Sequence, residues 1–348
     1  MSLEQTSALV SEAKAKHLAA VFDGLDLDFG SAHALFDMLM KGQLSSIEIS
    51  ALLIALKVKG EHSNEIAGAA KAMYENAARF PRPEYDFSDI VGTGGDGHNT
   101  INISSAAAVV AASCGIRVAK HGNRSVSSKS GSSDLFAAFG LKLDMSAETA
   151  RSCLDQTNLC FLAAPHYHSG MKYVMPVRTE LKTRTLFNIL GPLANPARPT
   201  HGIFGVYTPE LLDVYANILL TLGHQNAYVV HGSGLDELAL HGVSHIKHVS
   251  QGKICSLEVG PKDFGLHEYA LAQIEGDIPE TNKEYIEAVF IGKGKPAHTA
   301  AIAMNAAALL QLNNKADNFK QATDIAMASI EQGLPMKTME QAAFVSHQ

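Results

Sequence analysis

The reading of this chain turns on Asp89-Ile90-Val91-Gly92-Thr93-Gly94-Gly95-Asp96-Gly97, a short apolar run that breaks into a glycine-rich turn. A helical stretch over 104–114 follows, and then a second apolar run, Arg117-Val118-Ala119, that breaks into Lys120-His121-Gly122-Asn123-Arg124. Strand, turn, helix, strand is the pattern of a parallel βαβ unit. Glycines permit positive φ and close approach of a ligand, and successive amides around such a turn form a concavity that suits an anion. The letters also satisfy the GxGxxG dinucleotide fingerprint, but two features oppose it. Asp96 stands inside the turn, where it repels a bare pyrophosphate. About 20 residues on, where ribose recognition calls for an acid, the chain has Arg117 and Lys120.

Outward from this unit, apolar runs at 160–162, 203–206 and 227–230 alternate with helical stretches at 133–139 and 209–222. The alternation predicts an α/β fold with a mostly parallel central sheet flanked by helices. Residues 242–259 read as antiparallel strands and loops, and the tail returns to helix at 298–310 and again after Asn318. Upstream the signals are helical. Ala34, Leu35, Met38 and Leu39 recur at helical spacing up to Gly42; Ser45 and Glu48 fit a capping box; Ser63 is placed to open a further helix through Ile66, Ala70 and Met73. Pro81-Arg82-Pro83 then reads as a hinge. The expected organisation is a small all-α domain over 1–80 and a large α/β domain over 81–348 that carries the anion site. The irregular stretch 181–199 is expected to cross back, so that a segment within 165–200 completes the helical domain.

Composition bounds the function. The 348 residues are 46% hydrophobic and 18% charged, the balance of a packed globular chain. A net charge of −7 removes any global case for nucleic-acid binding, so an anionic ligand must be met by local cations and amides. Cys114, Cys153, Cys160 and Cys255 form no CxxC pair, and they read as buried thiols of a reducing compartment. The first 20 residues carry charges and no long apolar run, unlike a signal peptide, and a cytoplasmic location is expected. His241, His245 and His248 have plausible metal spacing, but no cysteine joins them and zinc is not favoured.

Several side chains cluster after the turn. Thr100, Asn102, Ser104 and Ser105 offer oxygens and amides at a helix start, where they can bind phosphate, ligate Mg²⁺ or simply cap; Ser104 is expected to cap. Lys120 to Arg124 surround Gly122 with two cations and two polar groups, the makings of a phosphate clamp. Ser125, Val126, Ser127, Ser128, Lys129, Ser130, Gly131 and Ser132 extend it as a candidate flap. Asp236 and Glu237 supply the hard oxygen donors that magnesium prefers.

The ordered set Gly92-Thr93-Gly94-Gly95-Asp96, Asn102-Ile103-Ser104, Lys120-His121-Gly122-Asn123-Arg124, Ala164-Pro165-His166-Tyr167-His168, Val177-Arg178, Arg184-Thr185-Leu186-Phe187-Asn188, Leu190-Gly191-Pro192-Leu193-Ala194-Asn195-Pro196 and Gly234-Leu235-Asp236-Glu237 resembles the anthranilate phosphoribosyltransferase family. The resemblance implies the two-domain architecture shared by nucleoside phosphorylases and such phosphoribosyltransferases, a homodimer, and a Mg²⁺-dependent transfer of the phosphoribosyl group of 5-phosphoribosyl 1-pyrophosphate to anthranilate, in tryptophan biosynthesis. By resemblance, Gly92, Gly95, Asp96, Thr100, Asn102, Ile103, Ser104, Ser105, Lys120, His121, Gly122, Asn123, Arg124, Ser125, Val126, Ser127, Ser128 and Ser132 contact the pyrophosphate substrate. Gly92, Asn123 and Arg178 serve anthranilate, and Ser104, Asp236 and Glu237 ligate the metal. No general base stands out, which leaves catalysis to positioning and electrostatics. Two alternatives stay open: a pyrimidine nucleoside phosphorylase-like enzyme, and a non-enzymatic relative that binds nucleic acid.

Overall fold

The computed structural model describes residues 3–124 and 130–348, with side chains from residue 12 onward. The candidate flap residues Ser125, Val126, Ser127, Ser128 and Lys129 therefore lie outside the described residues.

Four helices open the chain: α1 (Leu3–Phe22), α2 (Phe29–Met40), α3 (Ser46–Lys59) and α4 (Ser63–Glu75). Ser45 and Glu48 form the expected reciprocal box, with Ser45 accepting from the Glu48 amide and Glu48 accepting from the Ser45 amide. At α4 the cap differs from expectation. His62 holds the N-cap position, accepting from the Asn64 amide, and Ser63 is the first helical residue. The cause is Glu65, whose buried carboxylate accepts from the His62 amide at 2.8 Å, from the Leu27 amide at 3.0 Å and from Lys59 Nζ at 2.9 Å. One carboxylate thus ties together α3, α4 and the link between α1 and α2.

The α/β part follows the strand–helix alternation. In chain order come β1 (Ser88–Gly92), α5 (Ile103–Ser113), β2 (Val118–Gly122), α6 (Ser132–Ala138), α7 (Ala147–Thr157) and β3 (Leu159–Ala163). Short helices α8 (Ala164–Tyr167), α9 (Met175–Leu181) and α10 (Phe187–Leu190) lead to β4 (His201–Gly205), α11 (Leu211–Thr221), β5 (Asn226–Gly232), β6 (Ser244–Ser250) and β7 (Lys253–Val259). Helices α12 (Pro279–Phe290), α13 (Pro296–Leu312), α14 (Phe319–Glu331) and α15 (Leu334–Ser346) complete the chain. The sheet order is β3-β2-β1-β4-β5-β6-β7. Strands β1 to β5 pair in parallel, and β6 and β7 pair antiparallel, as residues 242–259 predicted. The order reverses between β1 and β4, which opens a crevice at their carboxyl ends, the place where open α/β sheets bind ligands.

Side-chain alternation along the strands divides the core in two. Ile203, Tyr228 and Val230 face a cluster built on the alanine-rich α5 and α13. Phe204, Ala227 and Val229 face a second cluster that takes in α11 and the buried faces of α2, α3 and α4. Val174, Val177, Leu186, Phe187, Leu190 and Leu193, from the stretch between β3 and β4, are buried in that second cluster. Among the described residues no helix is long and apolar enough to cross a membrane.

The α2–α4 contact supplies a test. A Cβ on Gly68 would stand 2.6 Å from the His33 amide nitrogen and 2.8 Å from the Phe29 carbonyl oxygen. Alanine gains about 1 kcal/mol in helix propensity, but forcing backbone apart costs about 1–3 kcal/mol. Gly68→Ala should therefore lower the thermal midpoint in a melt followed by circular dichroism. A raised midpoint would show that the bundle relaxes freely there.

Candidate functional site

The site is assembled where β1, β4 and β5 end. After β5 the chain turns back sharply, with Gly232 and Leu235 exchanging backbone hydrogen bonds of 3.0 and 2.9 Å. That turn carries Asp236 and Glu237 over the strand ends. Three glycines make the approach possible. A Cβ at Gly92 would lie 2.1 Å from Asp236 Oδ2, one at Gly205 would lie 1.6 Å from the Asp236 carbonyl oxygen, and one at Gly232 would lie 2.3 Å from that of Glu237. Asn305 of α13 holds the far side of the turn, accepting from the Leu238 amide at 3.1 Å and donating to its carbonyl at 3.2 Å.

The result is a carboxylate cluster. Oxygens of Asp96, Asp236 and Glu237 lie within 4.8 Å of one another. Burial, and after it the negative Asp96, pushes the Asp236 carboxyl up to about 6. Burial and then the two neighbouring aspartates push Glu237 well above the usual carboxylate range, against the opposing hydrogen bond from the Ser104 amide. Lys120 lies below, 2% exposed, its Nζ donating to the Ile90 carbonyl at 2.6 Å. Burial lowers its pKa, while Asp89, Glu237 and Asp236 act to raise it. Three close carboxylates over a single buried lysine hold excess negative charge, and their all-oxygen donor set suits a hard divalent cation. Among the described residues this is the group with the spacing of a metal site. Of the three expected ligands Asp236 and Glu237 meet here, and Ser104 comes beside Glu237 with its amide toward that carboxylate. Asp96, expected as a substrate contact, joins them.

The glycine turn lies across this cluster. Gly94, Gly95 and Gly97 have φ of 64, 78 and 84°, so side chains are disfavoured there. The Gly94 amide donates to Asp236 Oδ2 at 2.6 Å. The Thr93 amide donates to the Gly205 carbonyl at 2.9 Å, and Thr93 Oγ1 accepts from the Tyr207 amide at 3.1 Å. Arg184 grips the turn from outside, donating to the Gly95 carbonyl with its guanidinium 4.5 Å from the Tyr207 ring centre.

At the start of α5 the expected cap is absent. Asn102 occupies the N-cap position without a side-chain capping bond, and Ser104 lies inside the helix. Asn102 is occupied elsewhere: its Nδ2 donates to the Ser130 carbonyl at 3.0 Å, and its Oδ1 accepts from Ser130 Oγ and Asn282 Nδ2, both at 3.1 Å. Ile103 and Ser105, expected as substrate contacts, are buried. Thr100 pairs with Glu275 in an isolated bridge beside the turn.

The 120–124 segment does not form one open clamp. Lys120 and His121 are buried in the sheet, and only Asn123 and Arg124 are exposed. His121 Nε2 lies 3.3 Å from His168 Nε2, and burial drives both imidazoles down, that of His168 to about 4. The reason is register: β2 runs through Gly122, so the letters before it belong to a central strand. Gly122 itself makes room for Ser132, whose Oγ donates to the Asn123 carbonyl at 3.2 Å.

Arg178 sits half-buried on α9, its guanidinium 5.8 Å from the Phe187 ring centre. Among the described residues no carboxylate lies within ion-pair range of it. The histidines 241, 245 and 248 have separate partners: the Ser233 carbonyl, Glu258 and Asn226 respectively. Sequence reasoning gave no role to Arg184, Tyr207 or Asn305. Arg184 stood in the motif order, but only the fold reveals that it reaches the glycine turn.

Two family profiles match the chain: the a/b domain of the glycosyl transferase family over residues 84–336, and the helical bundle domain of that family over 15–77. An anthranilate phosphoribosyltransferase from Psychromonas ingrahamii is 52% identical over 326 residues, 94% of this chain and 96% of that protein. One from Serratia proteamaculans is 54% identical over 294 residues, 84% of this chain and 89% of that protein. The crystal structure of the Thermus thermophilus anthranilate phosphoribosyltransferase superposes with a TM-score of 0.91 at 35% identity, covering 95% of this chain and 99% of that one. The Saccharomyces cerevisiae enzyme in complex with phosphoribosyl pyrophosphate and Mg superposes with a TM-score of 0.87 at 29% identity, covering 98% of each chain.

The carboxylate cluster makes a two-sided prediction. Asp236 ordinarily titrates near 3.8 and does so at about 6 in the fold, so the stability present below 3.8 is lost as pH rises through about 6. Asp96→Asn removes part of that repulsion. Without metal it should raise the thermal midpoint, more at about pH 8 than at about pH 4. In calorimetric titration the same change should weaken Mg²⁺ binding by about tenfold or more. Unchanged metal affinity would remove Asp96 from the cluster's function.

Proposed function

This chain belongs to the anthranilate phosphoribosyltransferase family, and we propose that the carboxylate cluster and glycine turn at the ends of β1, β4 and β5 hold its phosphorylated substrate. The enzyme transfers the phosphoribosyl group of 5-phosphoribosyl 1-pyrophosphate to anthranilate, giving N-(5-phosphoribosyl)anthranilate and pyrophosphate, in tryptophan biosynthesis. The observation that carries the site assignment is the convergence of Asp96, Asp236 and Glu237 beside the amides of the turn and of α5. Mg²⁺, the metal of the yeast complex, suits the oxygens of Asp96, Asp236, Glu237 and Ser104, and when bound it neutralises charge on a departing pyrophosphate.

The chain's own groups then have distinct tasks. The amides of Gly95, Asp96 and Gly97 and the Ser104 hydroxyl face the anion from one side, and Asn123, Arg124 and Ser132 from the other, while the amides of Thr93 and Gly94 hold the turn itself. Lys120 acts from beneath, through its field on the carboxylates. Arg178, with Gly92 and Asn123, orients anthranilate, since a guanidinium fork matches a carboxylate and this one has no competing acid among the described residues. Neither His121 nor His168 serves as general base, because both are buried and paired with each other. The anthranilate nitrogen is weakly basic, and its proton becomes acidic once the new bond forms, so water suffices to remove it. Rate enhancement comes from positioning and preorganised charge.

We also infer a cytoplasmic homodimer that binds no nucleic acid. Four free cysteines fit a reducing compartment, and the charge of −7 disfavours a polyanion. On α3, Ile47 is 80% and Val58 is 81% exposed. Eleven helical positions separate them, which returns to the same face, so the two form an apolar stripe suited to a second copy. Val58→Glu should shift the protein toward monomer in sedimentation velocity; an unchanged profile would move the interface elsewhere.

The reaction is tested by loss of anthranilate fluorescence with phosphoribosyl pyrophosphate, with and without Mg²⁺, beside phosphorolysis of thymidine and uridine. Only the first is expected, and only with metal. Arg178→Ala should raise the KM for anthranilate by about tenfold or more and leave that for phosphoribosyl pyrophosphate nearly unchanged. Equal rises in both would remove Arg178 from the anthranilate site.

A further inference from the structure

A cavity of about 260 Å³ opens at the other end of the sheet, where Thr200 enters β4 and Gln225 enters β5. It lies on the helical-bundle face of β4, where Phe204 also points, and the reaction described above makes no use of it. Its walls come from separate stretches: Tyr74 of α4, Arg82 of the hinge, Leu193 and Arg198 of the segment before β4, Phe204 of β4, and His224 after α11. The cavity is therefore bounded by both the helical bundle and the α/β part.

Its chemistry is uneven. Arg82 and Arg198 are exposed at the mouth, and among the described residues neither has a carboxylate within ion-pair range. Each lies over an aromatic ring instead, Arg82 5.6 Å from the Phe87 centre and Arg198 5.7 Å from the Tyr74 centre. Arg82 Nε donates to the Arg198 backbone carbonyl at 3.3 Å, which ties the two residues together at the mouth. Arg198 has a φ of 52°, a left-handed conformation that is costly for a residue with a side chain and recurs at ligand clamps. The opposite wall is apolar, with Leu193, Phe204 and Leu222. Within it His224 stacks edge-on against Phe204 at 5.2 Å, and its buried Nδ1 has no hydrogen-bond partner among the described residues.

We propose that this cavity is a second ligand site, separate from the catalytic one, for a small aromatic carboxylate. Two guanidiniums free of carboxylate partners at one mouth suit a carboxylate, the apolar part of the lining suits a flat ring, and the volume suits one or two rings rather than a nucleotide. A bare inorganic anion would meet the cations but leave the apolar wall unfilled.

The test is calorimetric titration of the whole protein with benzoate, indole-3-propionate, benzyl alcohol and inorganic phosphate. The proteins are the wild type, the double variant Arg82→Ala/Arg198→Ala, and Arg178→Ala. One of the two carboxylates should bind wild type and Arg178→Ala alike, and bind the double variant about tenfold more weakly or worse. Benzyl alcohol and phosphate should bind no tighter than that weakened level. The double variant should keep wild-type transferase turnover, which shows that it is folded. Four results would overturn the proposal: no carboxylate binding at millimolar concentration, binding unchanged in the double variant, binding lost in Arg178→Ala, or phosphate binding as tightly as the carboxylates. Loss in Arg178→Ala would place the ligand in the anthranilate site, whereas failure of that site's own KM prediction leaves this cavity untouched.

Discussion

Three carboxylates within 4.8 Å of one another, Asp236 buried and Asp96 and Glu237 half-buried, are an unfavourable arrangement that the rest of this molecule is built to maintain. Left to themselves such groups separate or take up protons. Here they cannot separate, and burial and mutual repulsion instead hold the pKa of Asp236 and Glu237 up. Asp236 is wedged against Gly92 and Gly205, where no other residue type would fit, and Glu237 is held by the Ser104 amide at the start of α5. The sheet supplies the rigidity, because the glycines belong to paired strands in fixed register, Gly92 opposite Gly205. A site preorganised in this way offers a cation oxygen ligands already gathered, and the free energy stored in their repulsion is released when the charge is neutralised.

Below the carboxylates lies a buried polar frame that links the sheet to the segment before β4. Asn195 Nδ2 donates to Asp89 Oδ2 at 2.8 Å and to the Ala119 carbonyl at 2.9 Å, and its Oδ1 accepts from the Ala197 amide at 2.9 Å. Asp89 is fully buried, and burial raises its pKa against the opposing Lys120. Breaking such a network leaves an uncompensated charge in the core, which costs far more than the intact network contributes. The same segment continues upstream through α10 to Arg184, in the link before it, and to Arg178 on α9. The polar frame thereby registers Arg178 and the arginine on the glycine turn against the same strands that hold the carboxylate cluster.

Much of this was legible in the chain itself. The alternation of apolar runs with helical stretches placed all five parallel strands, because a strand buried on both faces must be a short, continuous apolar run. The switch to antiparallel pairing at 242–259 was legible as well. The glycine turn could be read as an anion site because positive φ and a missing Cβ are local properties. The errors were of another kind. Local rules place Ser63 and Ser104 as helix caps, and in both cases a contact from afar decides otherwise: Glu65, tied to Lys59 and Leu27, at the first, and Asn282 and Ser130, holding Asn102, at the second.

What the sequence determined by itself, then, is the order of elements, the chemistry available and the family, since periodicity, turn residues and motif order depend on near neighbours along the chain. Which residues face one another was decided only by tertiary structure. Lys120 and His121 read as a clamp until β2 carried them into the core, because burial in a sheet depends on partners distant in sequence. Asp96 read as a lone acid in a turn. Its meeting with Asp236 and Glu237 joins residues some 140 positions apart, and it depends on the reversal of strand order between β1 and β4, which no local pattern encodes. The glycine turn reads as an anion site by its own letters; it meets a carboxylate cluster that suits a cation only because β5 ends beside it.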